Sequence, residues 1–265
     1  MSFHQVLDAV PILGVFLVFV GTALVVAETG YRIGRWWQER DPEETQGPTP
    51  MIVGSLLALM AFLLAVTTGM ASDRFSARKA LVLDEANAIG TTWLRAGYLP
   101  APHAERVRAQ LREYLPLRVA SPDSTTIQGK IERSLELQGA LWAQAEALAR
   151  DRPDSPIIAL FIESVNETID LHEMRVMAAV YGRIPATILM LLLLGAILTL
   201  ATVGYSAGLT RRRSALTALI LVSLLGAVNT VVIDLDRPQG GFLEVSQRPL
   251  LDLGDQMNAA VPQRE

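Results

Sequence analysis

Four long apolar blocks dominate the pattern of hydrophobic and polar positions along the chain. They cover residues 9–27, 51–72, 184–209 and 214–233, and none of them contains a charged side chain. Each block meets the requirement of about 20 apolar residues for a helix that crosses a hydrocarbon core about 30 Å thick. The pattern therefore predicts an all-α, polytopic membrane protein with four transmembrane helices.

A polar segment between the second and third blocks shows helical periodicity instead. Its first apolar positions recur at the spacing of one helix face: Phe75, Val82, Ala86, Ile89 and Trp93. No helix breaker separates this face from the second block, so residues 51–99 are predicted to form one rod roughly 70 Å long at 1.5 Å per residue. Residues 73–183 are accordingly expected to be a helical extramembrane domain.

Three further helices are predicted within this domain. One is indicated by Val107, Leu111, Tyr114 and Leu115, and another begins at Pro156 after an N-cap at Ser155. The helix between them is expected to bury Ile127, Ile131, Leu135, Gln138, Trp142 and Ala145. The predicted organisation is thus a transmembrane pair in residues 1–72, this helical domain in residues 73–183, a second transmembrane pair in residues 184–233, and a tail in residues 234–265. The last ten residues of the tail are expected to be frayed.

Basic residues in the short loops predict the orientation. They are Arg32, Arg35 and Arg40 between the first two spans and Arg211, Arg212 and Arg213 between the last two. Because short basic loops stay in the cytoplasm, the N-terminus, the helical domain and the tail are expected on the outer side of a bacterial plasma membrane.

Composition excludes several classes of protein. The chain has 265 residues, of which 51% are hydrophobic and 19% charged, and it contains no cysteine. Disulfides, thiolate nucleophiles and thiolate metal sites are therefore excluded, and a net charge of −4 argues against nucleic acid as a partner. His4, His103 and His172 lack metal-ligand spacing, and His172 is expected on a solvated helix surface. Neither an enzyme nor a cofactor is expected.

Small and polar residues within the spans are candidate packing or pore-facing positions. Ala61, Ala65 and Gly69 recur every four residues in the second span, and Gly204 and Gly208 do so in the third. Such spacing lets helix backbones approach closely, either within one subunit or between subunits. The amide of Asn229 must face another helix, a pore or a ligand, because an unpaired amide is costly in hydrocarbon.

Charges cluster where the spans end. The candidate positions are Arg74, Arg78, Lys79, Asp236 and Arg237. They fit either ordinary interfacial charge or the vestibule of a pore, in which rings of basic side chains concentrate anions.

Three motifs together resemble the bacterial bestrophin-like domain family. They are the segment 84–90 with Leu94-Arg95 and Leu99-Pro100, then Arg108-x-x-Leu111-Arg112-x-Tyr114, and finally Leu235-Asp236-Arg237-Pro238 with Gly241 and Val245-Ser246. Bestrophins proper are pentameric anion channels with four spans, and their second span lines a hydrophobic neck. The resemblance implies a similar pore here, although residues 51–72 do not match the neck residue by residue.

Two functions are consistent with these features. The leading hypothesis is a homo-oligomeric ion channel in the lipid bilayer, with small inorganic anions as the expected permeant ions. The alternative is a non-conducting membrane sensor or scaffold whose helical domain binds a partner.

Overall fold

A computed structural model describes residues 3–41, 43, 48–120, 127–211 and 214–259. Over these residues the regular structure is entirely α-helical. The helices are α1 (Phe3–Ala9), α2 (Ile12–Gln38), α3 (Thr49–Ala96), α4 (His103–Arg118), α5 (Ile127–Asp151), α6 (Pro156–Val180), α7 (Ala186–Leu209), α8 (Ala215–Asp236) and α9 (Arg248–Ala259). The predicted all-α class is confirmed.

Four of these helices are long and apolar enough to cross a membrane. They are α2, α3, α7 and α8, and they contain the four predicted blocks almost completely. The predicted rod is confirmed as well, because α3 runs without interruption for 48 residues. Arg212 and Arg213, which contribute to the predicted charge of the last loop, lie outside the described residues.

The first compact unit, here called the membrane unit, comprises Met1–Phe75 and Arg183–Glu244. Glycines permit its closest helix contact, between α2 and α7. A Cβ on Gly30 or Gly34 would meet backbone carbonyls of Ala201 or Tyr205, and a Cβ on Gly204 would meet the carbonyl oxygen of Ala27. The two backbones therefore touch directly, which only glycine allows.

The second compact unit, here called the helical unit, comprises Ser76–Gly182 and Val245–Glu265. Its core is formed by apolar side chains of α3, α4, α5, α6 and α9, with Ile89, Leu111, Leu141 and Phe161 fully buried. The N-cap at Ser155 is confirmed, since its hydroxyl accepts from the amide of Ile158.

Two expectations for this unit were wrong in part. On α5, Gln138 and Ala145 are buried as predicted, but Leu135 and Trp142 are 47% and 36% exposed, and the buried face also includes Ser134, Leu137 and Leu141. The tail does not fray at residue 256, because α9 continues to Ala259 and buries Leu250 and Met257. Residues 260–265, the rest of the segment expected to be frayed, lie outside the described residues. The buried face of α9 is short, so its two apolar anchors did not stand out as a helical period.

Candidate pore-lining face and vestibule

Helix α3 presents two different faces in the membrane unit. One face packs into the core of the unit through Met60, Leu64, Thr67 and Ala71, all less than 9% exposed. The face with the small residues does not: Ala61 and Ala65 are exposed, and a Cβ on Gly69 would have no atom within 4 Å. In the membrane unit this face, which we call the small-residue face of α3, is left uncovered.

The two predicted small-residue stripes thus differ. Gly204 and Gly208 on α7 pack within the chain, where a Cβ on Gly208 would meet the carbonyl oxygen of Tyr31. The stripe on α3 has no such neighbour among the described residues, so packing against them does not account for it. Gly30 and Gly34, the partners of the α7 glycines, were not identified from the sequence, although they show the same spacing of four residues.

The charged pair at the end of α8 is held by partners inside the membrane unit. The carboxylate of Asp236 accepts from Nε of Arg183 at 3.1 Å and from the backbone amide of Ile184 at 2.6 Å. Arg237 donates through Nη2 to the carbonyl oxygens of Leu7 and Val10, the latter at 2.8 Å. Both side chains are at most 3% exposed, so they fasten α1 and the start of α7 to the end of α8.

Two further charged residues complete this cluster. Asp8 on α1 accepts from both terminal nitrogens of Arg183, at 2.5 and 3.0 Å, and its carboxylate lies 3.9 Å from Nε of Arg237. Neither Asp8 nor Arg183 was assigned to this site from the sequence. A usable signal existed, because both flank an apolar block, as Asp236 and Arg237 do.

A tight turn follows the same helix end. The carboxylate of Asp234 accepts from the backbone amides of Phe242 and Leu243, each at 3.0 Å. Gly241 lies directly against this carboxylate, and a Cβ there would collide with Oδ1 of Asp234. The glycine of the Asp-Arg-Pro segment is thus required by close approach.

The basic residues after the second span lie along the middle of α3. Arg74 is half-buried, Lys79 is exposed and Arg78 is 8% exposed. Two of the three predicted vestibule residues on α3, Arg74 and Lys79, are therefore accessible.

A buried ionic cluster lies in the helical unit. The carboxylate of Glu85, on α3, is fully buried and accepts from Nε of Arg118 at 2.7 Å and from Nη1 of Arg175. Arg175 also donates to the carbonyl oxygen of Arg118 at 3.3 Å. One carboxylate thus joins α3, α4 and α6, a role that sequence reasoning did not assign to any of the three residues.

Two titratable groups lie beside this cluster. The hydroxyl of Tyr114 accepts from Nε2 of Gln138 at 3.1 Å and lies 3.5 Å from Nδ1 of His172. Burial raises the pKa of Tyr114 to about 12. Burial, together with the charges of Arg118 and Arg175, lowers the pKa of His172 to about 4. The expectation that His172 is solvated was wrong: it is 1% exposed.

The exposed side of α3 and α6 in the helical unit forms an open acidic groove. It has a volume of about 620 Å³ and is lined by Asp84, Asn87, Glu163, Asn166, Glu167 and Asp170, with two apolar residues at its end. Among the described residues no group of three His, Asp or Glu side chains is arranged to hold a metal ion. The groove offers negative charge to solvent without such a centre.

A family model described as the bestrophin-like domain matches residues 15–250 of this chain. The chain belongs to the bestrophin-like family. The family resemblance read from the sequence is confirmed, and the motif residues acquire structural roles: Glu85 in the ionic cluster, Tyr114 beside it, and Asp236 and Arg237 at the end of α8.

Solved structures show the same fold. Two variants of a bacterial bestrophin homologue from Klebsiella pneumoniae, one with an aspartate and one with a leucine replaced, superpose with TM-scores of 0.64 and 0.61. A structure described only as a membrane protein gives 0.63. Identities are 13–14%, over 94% of this chain and 96% of each structure. No curated protein matches the sequence. This bestrophin-like chain is thus a multi-pass membrane protein with the fold of a bacterial bestrophin homologue.

Proposed function

We propose that this bestrophin-like protein assembles from several copies into an ion channel, with the small-residue face of α3 directed at the pore. The observation that carries the proposal is the uncovered stripe of Ala61, Ala65 and Gly69 on a helix whose opposite face is buried. Contact with lipid does not require small side chains at three successive turns of a helix. Small side chains there are instead useful for leaving room for a narrow conduction path or for the close approach of a neighbouring subunit.

Family membership supports the same function. Bestrophins proper are channels in which the second span lines the neck, and α3 contains the second span of this chain. Asn229 apart, the described spans carry no strongly polar side chain in their apolar middles, which is unlike the broken, charged helices of many transporters.

The proposed selectivity is for anions. Arg74, Arg78 and Lys79 follow the second span, and a closed ring of copies would multiply each of these charges around one axis. Local positive potential of this kind raises the concentration of small anions at a pore entrance. In the proposed orientation the basic short loops face the cytoplasm of a bacterial cell and the helical unit lies outside the inner membrane.

Flux measurements test the channel. The purified chain is reconstituted into liposomes, in which chloride and potassium fluxes are recorded. The mass of the particle is measured separately in lipid nanodiscs. We expect an oligomer and a chloride flux, and Gly69→Leu should abolish the flux by narrowing the pore while leaving the oligomer intact. Gly21→Leu is the matched control, because a Cβ on Gly21 also has no atom within 4 Å, but on α2. Liposomes impermeable to both ions would refute the proposal.

Selectivity is tested separately. The double variant Arg74→Gln with Lys79→Gln should lower the ratio of chloride to potassium permeability without changing the mass of the oligomer. An unchanged permeability ratio would remove these two residues from the vestibule while leaving the channel itself in place.

A second function is favoured by the continuity of α3. A helix of 48 residues spans both compact units without a break, so rotation or tilt in the membrane unit could be transmitted along it. A non-conducting sensor or scaffold would use this helix to signal to a partner of the helical unit. A monomeric particle in nanodiscs, together with a stoichiometric protein partner recovered with it, would favour this alternative.

A further inference from the structure

A cavity lies inside the membrane unit, between α1, α2, α7 and α8. Its volume is about 320 Å³, within the range of about 300–1,000 Å³ that is typical of small-molecule sites. Its wall is almost entirely apolar, with Val10, Phe19, Leu193 and Ile197 among the lining residues, and its polar side includes Asn229 and Thr230. The cavity is separate from the small-residue face of α3, since no residue of α3 lines it.

Asn229 is the polar residue of this wall that lacks a complete set of partners. The side chain is 1% exposed, and its Nδ2 donates to the carbonyl oxygen of Leu225, in the preceding turn of its own helix, at 2.9 Å. Its Oδ1 accepts no hydrogen bond from the described part of the chain. The amide therefore makes no bond to another helix there, and an acceptor is left without a donor in an apolar setting, which destabilises this arrangement.

Neither the neighbouring threonine nor a lone water supplies that donor well. The hydroxyl of Thr230 donates to the carbonyl oxygen of Gly226 at 2.7 Å, so its proton is engaged. A buried water makes about three hydrogen bonds. Apart from the exposed Thr22 and the engaged hydroxyl of Thr230, this wall offers aliphatic and aromatic carbon around one buried acceptor without a donor. A molecule with one donor and a hydrocarbon body matches the wall better than water does.

Hydrogen bonds from two arginines hold the wall of the cavity that α1 forms. Val6 and Leu7 of this short helix line the cavity, as does Val10 directly after it. Arg237 donates to the backbone carbonyls of Leu7 and Val10, and Arg183 binds Asp8 with two hydrogen bonds. The charged cluster at the end of α8 thus holds one wall of the cavity in place over the apolar interior.

We propose that this cavity binds an uncharged, largely hydrocarbon molecule with a single hydroxyl or amide donor, and that the donor bonds to Oδ1 of Asn229. A long-chain alcohol represents this class of ligand. The proposal does not depend on ion conduction, because it concerns a cavity formed within one chain, and it predicts a ligand for channel and scaffold alike.

Competition photolabelling of the full chain in nanodiscs tests the proposal. The probe is a long-chain alcohol with a photoreactive diazirine in its tail, and labelled peptides are identified by mass spectrometry. We expect label on lining residues of α1, α2 and α7. 1-Dodecanol should compete about fivefold to tenfold better than its methyl ether, which has the same chain without the donor. Label restricted to other surfaces, or equal competition by the alcohol and the ether, would overturn the proposal.

Three variants separate the role of Asn229 from a structural effect. In Asn229→Leu the alcohol and the ether should compete equally, because the acceptor is gone. Thr202→Val is the matched control: Thr202 lies on α7, does not line the cavity, and donates only to Leu198 in its own helix. Leu193 lines the cavity and is half-exposed, so Leu193→Trp fills the cavity with a larger side chain and should reduce labelling. This variant tests the cavity even if Asn229→Leu fails to fold. A preference for the alcohol that persists in Asn229→Leu, or full labelling of Leu193→Trp, would contradict the proposal.

Discussion

The two compact units of this bestrophin-like protein stabilise their helices by opposite means. The helical unit buries a charged residue, Glu85, and satisfies it with two arginines inside an apolar core. The membrane unit brings α2 and α7 into backbone contact through glycines and leaves its charges at the ends of the helices. The helical unit buries its ionic groups among the helices of its core, whereas the membrane unit buries Asp234, Asp236 and Arg237 at the end of α8.

The difference follows from the solvent of each unit. Burial of apolar surface from water drives helices of the helical unit together, so that this unit can carry a costly ion pair that fixes their register. Lipid offers no comparable hydrophobic drive, and helices in it associate by close van der Waals packing of small residues. The uncovered small-residue face of α3 in the membrane unit therefore indicates a contact with another helix or a pore more strongly than an exposed alanine in the helical unit does.

The largest expected effect concerns the ionic cluster. Glu85→Gln keeps the shape of the side chain but leaves Arg118 and Arg175 without a counter-charge. Of these, Arg118 is 8% exposed. Removal of one partner from a buried ion pair costs about 3–5 kcal/mol, and the free energy of unfolding in detergent should fall by this amount. Glu146→Gln is the matched control, because its pair with Arg150 lies at the surface and contributes about 0.3–0.5 kcal/mol. A loss below about 1 kcal/mol for Glu85→Gln would show that the cluster does not stabilise the helical unit.

The next effect tests the membrane unit. Gly204→Ala places a Cβ against the carbonyl of Ala27, so α2 and α7 must separate. Overpacking of this kind costs about 1–3 kcal/mol, which a lower midpoint of thermal unfolding in micelles would report. Gly21→Ala, on α2, meets no atom within 4 Å and should be neutral or slightly stabilising. Equal stability of the two variants would mean that α2 and α7 are not in backbone contact.

The sequence predicts most of the fold because membrane spans are recognisable as long segments of apolar residues. The four blocks and the continuous α3 follow from that pattern alone. Short amphipathic elements do not, and α1 and α9 were missed because two or three apolar anchors resemble chance. On α5 the burial of Gln138 was predicted correctly, but Leu135 and Trp142 were wrongly placed on the buried face because they are apolar, whereas the polar Ser134 is buried.

The candidate site is less accessible to sequence reasoning, because its partners are distant along the chain. Asp236 and Arg237 were identified as charged span ends, but their partners Asp8 and Arg183 lie 228 and 53 residues away from Asp236 (8 to 236 and 183 to 236). The charge pattern shows that the end of a span is charged, but it does not show which other helix end supplies the partner of that charge. Burial of His172 was missed for the same reason, since Tyr114, which lies beside its ring, is 58 residues away on α4.

The smallest expected effect is a pH dependence confined to the helical unit. The pKa of His172 is lowered from 6.5 to about 4 by burial and by Arg118 and Arg175, while Glu85 and Tyr114 are the other titratable groups of the cluster. An unfolded imidazole takes up a proton below pH 6.5, whereas the folded one does so only near pH 4. Unfolding therefore binds a proton in this range, and the free energy of unfolding should fall by about 1–2 kcal/mol as the pH falls from 6.5 to 5. His172→Gln should flatten that slope, and hydrogen exchange should place the loss in α4 and α6 rather than in α2 and α7. The same slope in His172→Gln, or an equal loss of protection in α2 and α7, would refute the assignment. It would also weaken the contrast between a unit with ionisable groups among its core helices and a unit whose buried ionisable groups lie at the end of a helix.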